Sequence, residues 1–230
     1  MMSAERFVAI DGPDRIDALA FLARAIRLDD AAVVRLATRA DGMLGLWART
    51  GFDVLAGRAV IGTIAPADLV CDASGLRAAL AAARDGVAVD PGFGVDSAWR
   101  GALPGATGFR HVDDVPARRI VELSRDGARV AREEGSAHGP ATGLLDQEVL
   151  TVDSDEQTRA SITMRSLFAL TGMGFIRDTD NRAVTETSDL NRIDPAEPVR
   201  IRVSPAWVRI DARFGSVFQR RRRDLGMLVG

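Results

Sequence analysis

His111, Asp113 and Asp114 are the residues of this 230-residue chain whose types and spacing come nearest to acid–base chemistry. A carboxylate two or three residues from an imidazole can orient it as a general base, and the same trio could begin a metal site. The plainer reading is that Asp113-Asp114-Val115-Pro116 opens a helix, with the two acids as cap and first-turn charge. The other histidine, His138, has no ligand near it in sequence. With Cys71 the single cysteine, a zinc site of the usual type is not expected. Asp178, Asp180 and Asn181 start like a calcium loop, but Ala183 stands where that loop needs Gly and Asp189 where it needs a bidentate Glu. Asp153, Asp155 and Glu156 read as a hairpin turn, and Gly92-Phe93-Gly94 is too short to cradle a phosphate. No cofactor and no metal are expected, and His111, Asp113 and Asp114 stay the only catalytic candidates.

Recognition chemistry is better represented. Trp47 and Arg49 alternate with Leu46 and Ala48, and Trp207 and Arg209 alternate with Val208 and Ile210. On strands, alternation puts each Trp–Arg pair on the face opposite the apolar one. If the two segments occupy equivalent places, the four residues form one surface suited to a protein partner, where Trp and Arg are favoured anchors. The structural alternative is that each Trp packs under a loop or helix. Arg220, Arg221, Arg222 and Arg223 follow in a row and could grip phosphate. On a strand, however, only two of the four can face one surface. A formal charge of −2 supplies no global field for nucleic acid.

The elements that must position these residues are legible from periodicity and turns. Val33–Ile64 reads as a three-stranded antiparallel meander, with Asp41-Gly42 as its first tight turn. Val199–Arg221 is a shortened echo, Val34-Arg35-Leu36 matching Val199-Arg200-Ile201. Before the meander, Phe7–Ile10 is a short strand. Asp11-Gly12-Pro13 then opens a helix whose stripe is Ile16, Leu19, Ala20, Ala23 and Ile26. Leu69-Val70-Cys71 is a core strand leading into a helix capped by Asp72 or Ser74 and ended by Gly86. Residues 86–112 are rich in Gly and Pro, yet Phe93, Trp99, Leu103 and Phe109 make them an ordered connection packed across both halves. A helix to about Glu134 follows, buried through Ile120, Leu123, Gly127 and Val130. Glu148–Val152 and Arg159–Ile162 form a hairpin before a helix over Thr163–Thr171. Residues 178–198, polar and nearly free of large apolar side chains, are expected to be the most mobile internal segment.

Four blocks carry a family resemblance: WRGALPG (99–105), LLDQEVLTV (144–152), MRSLFALTGMGFI (164–176) and SPAWVRIDARFGSVFQRR (204–221). Together they resemble conserved hypothetical proteins of high-GC actinobacteria, a family with no activity attached, so the resemblance implies no function. In topology alone, strand pairs followed by strand-then-helix resemble one domain of a DNA sliding clamp.

All 30 basic residues are Arg, which reflects a GC-rich genome rather than Arg-specific chemistry. One cysteine excludes an internal disulfide and suits a reducing cytoplasm. No signal peptide and no run of 18 apolar residues is present, so a cytoplasmic, non-membrane protein is expected. The fold class expected is α+β: two α/β units with largely antiparallel sheets and helices mainly on one face. The units are placed at 1–104 and 105–230, closely packed on each other. The function expected is a non-enzymatic interaction or regulatory module, self-associating or with a protein partner. A nucleic-acid-associated protein using the arginine cluster, binding weakly, comes second. An enzyme with an acid/base site near His111 comes third.

Overall fold

The computed structural model describes residues 6–134, 142–154 and 158–221. The chain runs β1 (Phe7–Ile10), α1 (Gly12–Leu28), β2 (Val33–Thr38), β3 (Leu44–Arg49), β4 (Leu55–Val60), β5 (Gly62–Ala65), β6 (Asp68–Asp72) and α2 (Ala73–Ala82). It continues with β7 (Arg110–Pro116), α3 (Ala117–Glu134), α4 (Thr142–Asp146), β8 (Glu148–Asp153), β9 (Arg159–Thr163) and α5 (Met164–Gly172). The meander β10 (Pro198–Val203), β11 (Trp207–Ala212) and β12 (Gly215–Arg220) completes it.

One eight-stranded antiparallel sheet, in the order β6-β2-β3-β4-β12-β11-β10-β7, runs through both halves. The two meanders abut at β4 and β12, where Leu55, Ala56 and Gly57 pair with Phe218, Val217 and Ser216. The order is palindromic about that seam: β4 matches β12, β3 matches β11, and β2 matches β10. Because β4 and β12 are antiparallel, the relation is a half-turn about an axis normal to the sheet, which keeps both meanders facing the same way. The helices accordingly share one face. The echo in the sequence thus corresponds to equivalent positions in one sheet, and the α+β class with helices mainly on one face is what the chain adopts. A two-stranded pair of distant strands, β1-β5, and a hairpin, β8-β9, flank the main sheet.

The core lies between helices and sheet. Leu36, Leu46, Ile201, Ile210 and Val217 on the strands meet Phe21, Leu22, Ile120, Leu167 and Phe175. Alternation drives this: Leu44, Leu46 and Ala48 point to the helices, and Trp47 between them points away. Helix α1 turns a different stripe inward from the one expected. Ala18, Phe21, Leu22 and Ala25 are buried, while Ile16 is 69 % exposed. The helix is apolar on most of its circumference, so periodicity leaves its rotation open. Phe21 settles it by stacking on Phe175 with ring centroids 6.3 Å apart.

A second correction concerns Asp113–Pro116, which form strand rather than the start of a helix. They pair with β10, Pro116 opposite Pro198 and Asp114 opposite Arg200, and α3 begins only at Ala117. Proline cannot donate to a ladder, so Pro116 is tolerated because β7 is an edge strand. Asp72 is the cap of α2, accepting from Gly75 N at 2.5 Å. In the first hairpin turn only Gly42 takes a positive φ (80°). Residues 178–197 precede β10 and belong to no named strand, but they are tied down. Asp178 accepts from Asp180 N and Arg182 N, Arg125 donates to Thr185 O and Ser188 O, and Ile193 is fully buried.

A polar node stitches the halves on the helix side of the seam. Asp17 on α1 pairs with both Arg58 on β4 and Arg177. Arg58 also donates to Phe214 O at 2.5 Å, and Arg177 lies 3.9 Å over the Phe214 ring centroid. The opposite sheet face carries a smaller cluster, described next.

Candidate functional site

The side of the sheet away from the helices is organised around Trp47. Its indole lies flat on the sheet because the neighbouring positions have no side chain. A Cβ at Gly45 would sit 2.7 Å from Trp47 Nε1, and one at Gly57, its cross-strand partner, 2.7 Å from Cζ3. Phe218 packs on the indole at 5.2 Å, and Leu55 completes a buried trio. The segment 99–109 crosses over this trio, with Trp99, Leu103 and Phe109 packed against it. Phe93, in the same connection, is 93 % exposed and takes no part.

The residues read as one surface therefore share a face but not one environment. Trp47 is 8 % exposed, covered by the connection. Arg209 is half-buried, its guanidinium 5.7 Å from the Phe109 ring and 5.5 Å from the Phe218 ring, and it is held by Asp211 at 2.7 Å. Arg49 is exposed, pairing with Asp53 and donating to Arg100 O at 3.2 Å. Trp207 is half-buried beneath Arg220, whose guanidinium stacks 4.4 Å above the ring. Arg221 is exposed and donates to Ser204 O and Arg159 O. Arg222 and Arg223 lie outside the described residues, as does His138.

What the structure brings together is a cleft at one end of the β4–β12 seam. Arg49, Trp207, Arg220 and Arg221 all border a cavity of about 300 Å³ floored by Leu55 and Phe218. Its wall across the seam is built by Asp146, Thr163 and Arg165. Four guanidinium groups, those of Arg49, Arg165, Arg220 and Arg221, face two carboxylates, those of Asp53 and Asp146. A second cavity of about 310 Å³ shares Thr163, Gln219 and Arg221 with the first and adds Arg159. Sequence reasoning missed Gln219, Arg165 and Arg159. Gln219 is the joint: its Oε1 accepts from Thr163 N, Thr163 Oγ1 and Ser166 Oγ, and its Nε2 donates to Ser161 O. A glutamine between two arginines and a phenylalanine offers no sequence signal of that role. Arg165, on α5, is fixed by Asp146 at 2.7 Å and by Phe52 O at 3.2 Å.

The acid–base candidates sit elsewhere. His111 and Asp114 are on β7, their Nε2 and Oδ1 3.7 Å apart and both about half exposed. Asp113 Oδ1 accepts from the N–H of Asp114 instead of facing the imidazole. The cross-strand partners of His111 and Asp114 are Arg202 and Arg200. Asp178, from the calcium-like stretch, is held well below the usual carboxylate range, chiefly by the backbone hydrogen bond from Arg182. Among the described residues no group of three or more His, Cys, Asp or Glu side chains converges as metal ligands do, and no helix is long and apolar enough to cross a membrane.

Comparison with known proteins places the two parts of the chain separately. A family model described as a domain of unknown function (DUF8185) matches residues 104–224, and a second such model (DUF8010) matches residues 2–101. No curated protein matches. Solved structures that share the fold include a DNA polymerase sliding clamp from Bacillus subtilis (TM-score 0.55, 13 % identity), which covers 95 % of this chain. The beta sliding clamp of C. crescentus (0.56, 12 %) and the sliding clamp, DNA polymerase III subunit beta, of Bartonella birtlesii (0.54, 14 %) each cover 94 %. This chain spans 64–65 % of the length of those clamps.

Proposed function

This chain belongs to the DUF8185 family, and we propose that it is a non-enzymatic interaction module that self-associates and takes a protein partner in the cleft at the β4–β12 seam. The observation that carries this reading is the convergence of Arg49, Trp207, Arg220 and Arg221 on one apolar-floored cavity. An apolar floor under a ring of arginines is complementary to an extended segment that alternates apolar and acidic side chains. A stacked Arg–Trp pair is a rigid anchor that loses little entropy on binding. Trp47 and Arg209 act from below, holding Phe218 and the floor in place. The units proposed are 1–104 and 105–230, a division supported by the two family matches meeting between 101 and 104. Self-association is supported by β7, a terminal strand of the sheet that pairs with β10 on one side only. The lone, buried Cys71 is in keeping with a reducing cytoplasm.

The test is selection of peptides from a random library on the native protein, on Trp207→Ala and on Arg220→Gln/Arg221→Gln, alongside sedimentation equilibrium. The expected result is an acidic–apolar consensus lost by roughly tenfold or more in affinity with either variant, as removal of a buried aromatic anchor implies. A consensus indifferent to both variants, or none, rejects the cleft; a monomer at all concentrations rejects self-association.

The second reading is contact with nucleic acid. It is favoured by the names of the solved structures sharing the fold, DNA polymerase sliding clamps, and by Arg220 and Arg221 at the cleft. Two phosphate contacts would give a log–log salt slope of about −1.8 on duplex DNA, and four about −3.6. Titration of duplex DNA over a range of salt, with Arg220–Arg223 replaced by Gln, separates the readings. A steep slope that flattens in the variant favours DNA; no binding in either favours the protein partner.

A further inference from the structure

On the helix side of the sheet, away from the seam cleft, a cavity of about 360 Å³ lies where α1 meets α3, α5 and the 184–186 loop. This is the volume and the setting, between two packed units, in which small-molecule sites are usually built. Phe52, Phe168, Val121 and Ala128 give it an apolar wall. Ser124, Thr171 and Thr185 add neutral polar groups, and the charged lining is mainly cationic: Arg24, Arg27 and Arg125 border it, against the single carboxylate of Glu186. That carboxylate is already engaged by Arg132 at 2.6 Å.

The arginines are poorly compensated. Arg24 and Arg27 are one turn apart on α1 and so share a face. Among the described residues Arg24 makes no ion pair and no hydrogen bond; it lies against the backbone at Gly174, whose positive φ (63°) and lack of Cβ leave room for the guanidinium. Burial, and then the like charges of Arg27 and Arg177, push its pKa down, so the charged form is held at a cost. Arg27 gives one N–H to Gly172 O at 2.7 Å. Arg125 spends Nη2 on Thr185 O and Ser188 O, while its buried Nε–H is unpaired. An anion placed among these groups would relieve their mutual repulsion and accept their free donors.

We propose that this cavity is a binding site for an amphipathic organic anion, its charged head between Arg24 and Arg27 and its apolar body against Phe52 and Phe168. The head accepts charge-assisted hydrogen bonds, and the body displaces water from the apolar wall. The two cavities share no lining residue, so the two proposals can fail separately.

The probes are 8-anilinonaphthalene-1-sulfonate and N-phenyl-1-naphthylamine, which share the aromatic body and differ in the sulfonate. Fluorescence titration of the full chain should show one saturable site for the sulfonate and binding of the neutral amine weaker by about tenfold or more, the loss expected for hydrogen bonds to a charged group. Arg24→Gln should weaken the sulfonate by a similar factor and leave the amine unchanged. Arg27→Gln, at an exposed position, carries the same test should Arg24→Gln not fold by circular dichroism. Trp207→Ala and Arg220→Gln should bind the sulfonate as the parent does. Equal affinity for both probes, full sulfonate affinity in the foldable variants, or no saturable binding overturns the proposal.

Discussion

Cys71 shows how burial governs chemistry at the level of one residue. It is fully buried on β6, and desolvation pushes its thiol from the ordinary 9.0 to about 12. The thiolate is the nucleophile, so native Cys71 should be inert to alkylation near pH 8 and react only on unfolding. The same displacement makes stability depend on pH. The unfolded chain loses this proton from about pH 9 and the folded chain only near 12, so the unfolded state binds fewer protons between them. Stability therefore falls as pH rises through that window, by up to about 1.4 kcal/mol per pH unit. Denaturation of the parent and of Cys71→Val between pH 8 and 11 should show this slope in the parent alone. Equal slopes would assign it to other groups. His111, by contrast, is half exposed, with Asp114 Oδ1 3.7 Å from its Nε2.

Elements here are set by what they pack on. Trp47 lies flat because Gly45 and Gly57 flank it, and the 99–109 connection then closes over indole and sheet together. Gly57→Val should push the indole off β4 and uncover the trio. The expected loss is about 1–3 kcal/mol, as for overpacking, with a red shift of tryptophan emission. An unchanged spectrum and unfolding midpoint would show that the back face tolerates the branch and that Trp47 is not seated as described. Strand β7 and helix α1 make the same point in another way. Asp-Asp-Val-Pro is a fair helix opening in isolation, yet pairing with β10 takes those residues into the sheet. The stripe of α1 was ambiguous until Phe175 met Phe21.

At the scale of the molecule, the two halves share one sheet. Backbone pairing of Leu55–Gly57 with Ser216–Phe218, the bridging of Asp17 to Arg58 and Arg177, and Gln219 locking β12 to β9 and α5 all lie at or beside the seam. Neither half can unfold without exposing the other's edge strand and leaving charges in the node unpaired. Urea unfolding should therefore be one cooperative transition. Far-UV circular dichroism and tryptophan emission should coincide, since Trp47 and Trp99 report on the first half and Trp207 on the second. Two separable transitions would show that the halves fold independently despite the common sheet.

Much was determined by local sequence. The meander and its echo follow from period-2 alternation and Gly-bearing turns, the core strand around Cys71 from its apolar run, and the second helix from Asp72 at its cap. Alternation also put Trp47, Arg49, Trp207 and Arg209 on the face away from the main core. What alternation could not determine is which strands from distant parts of the chain become neighbours. The β4–β12 seam joins residues about 160 positions apart in sequence. That pairing turns Arg49 and Arg220 into neighbours across one cleft, and the packing of the two halves sets Arg24 opposite Arg125 in the helix-side cavity. Side-chain period is a property of the backbone and is written locally. Proximity across the seam depends on the packing of two units on one another, which no single stretch of the chain encodes.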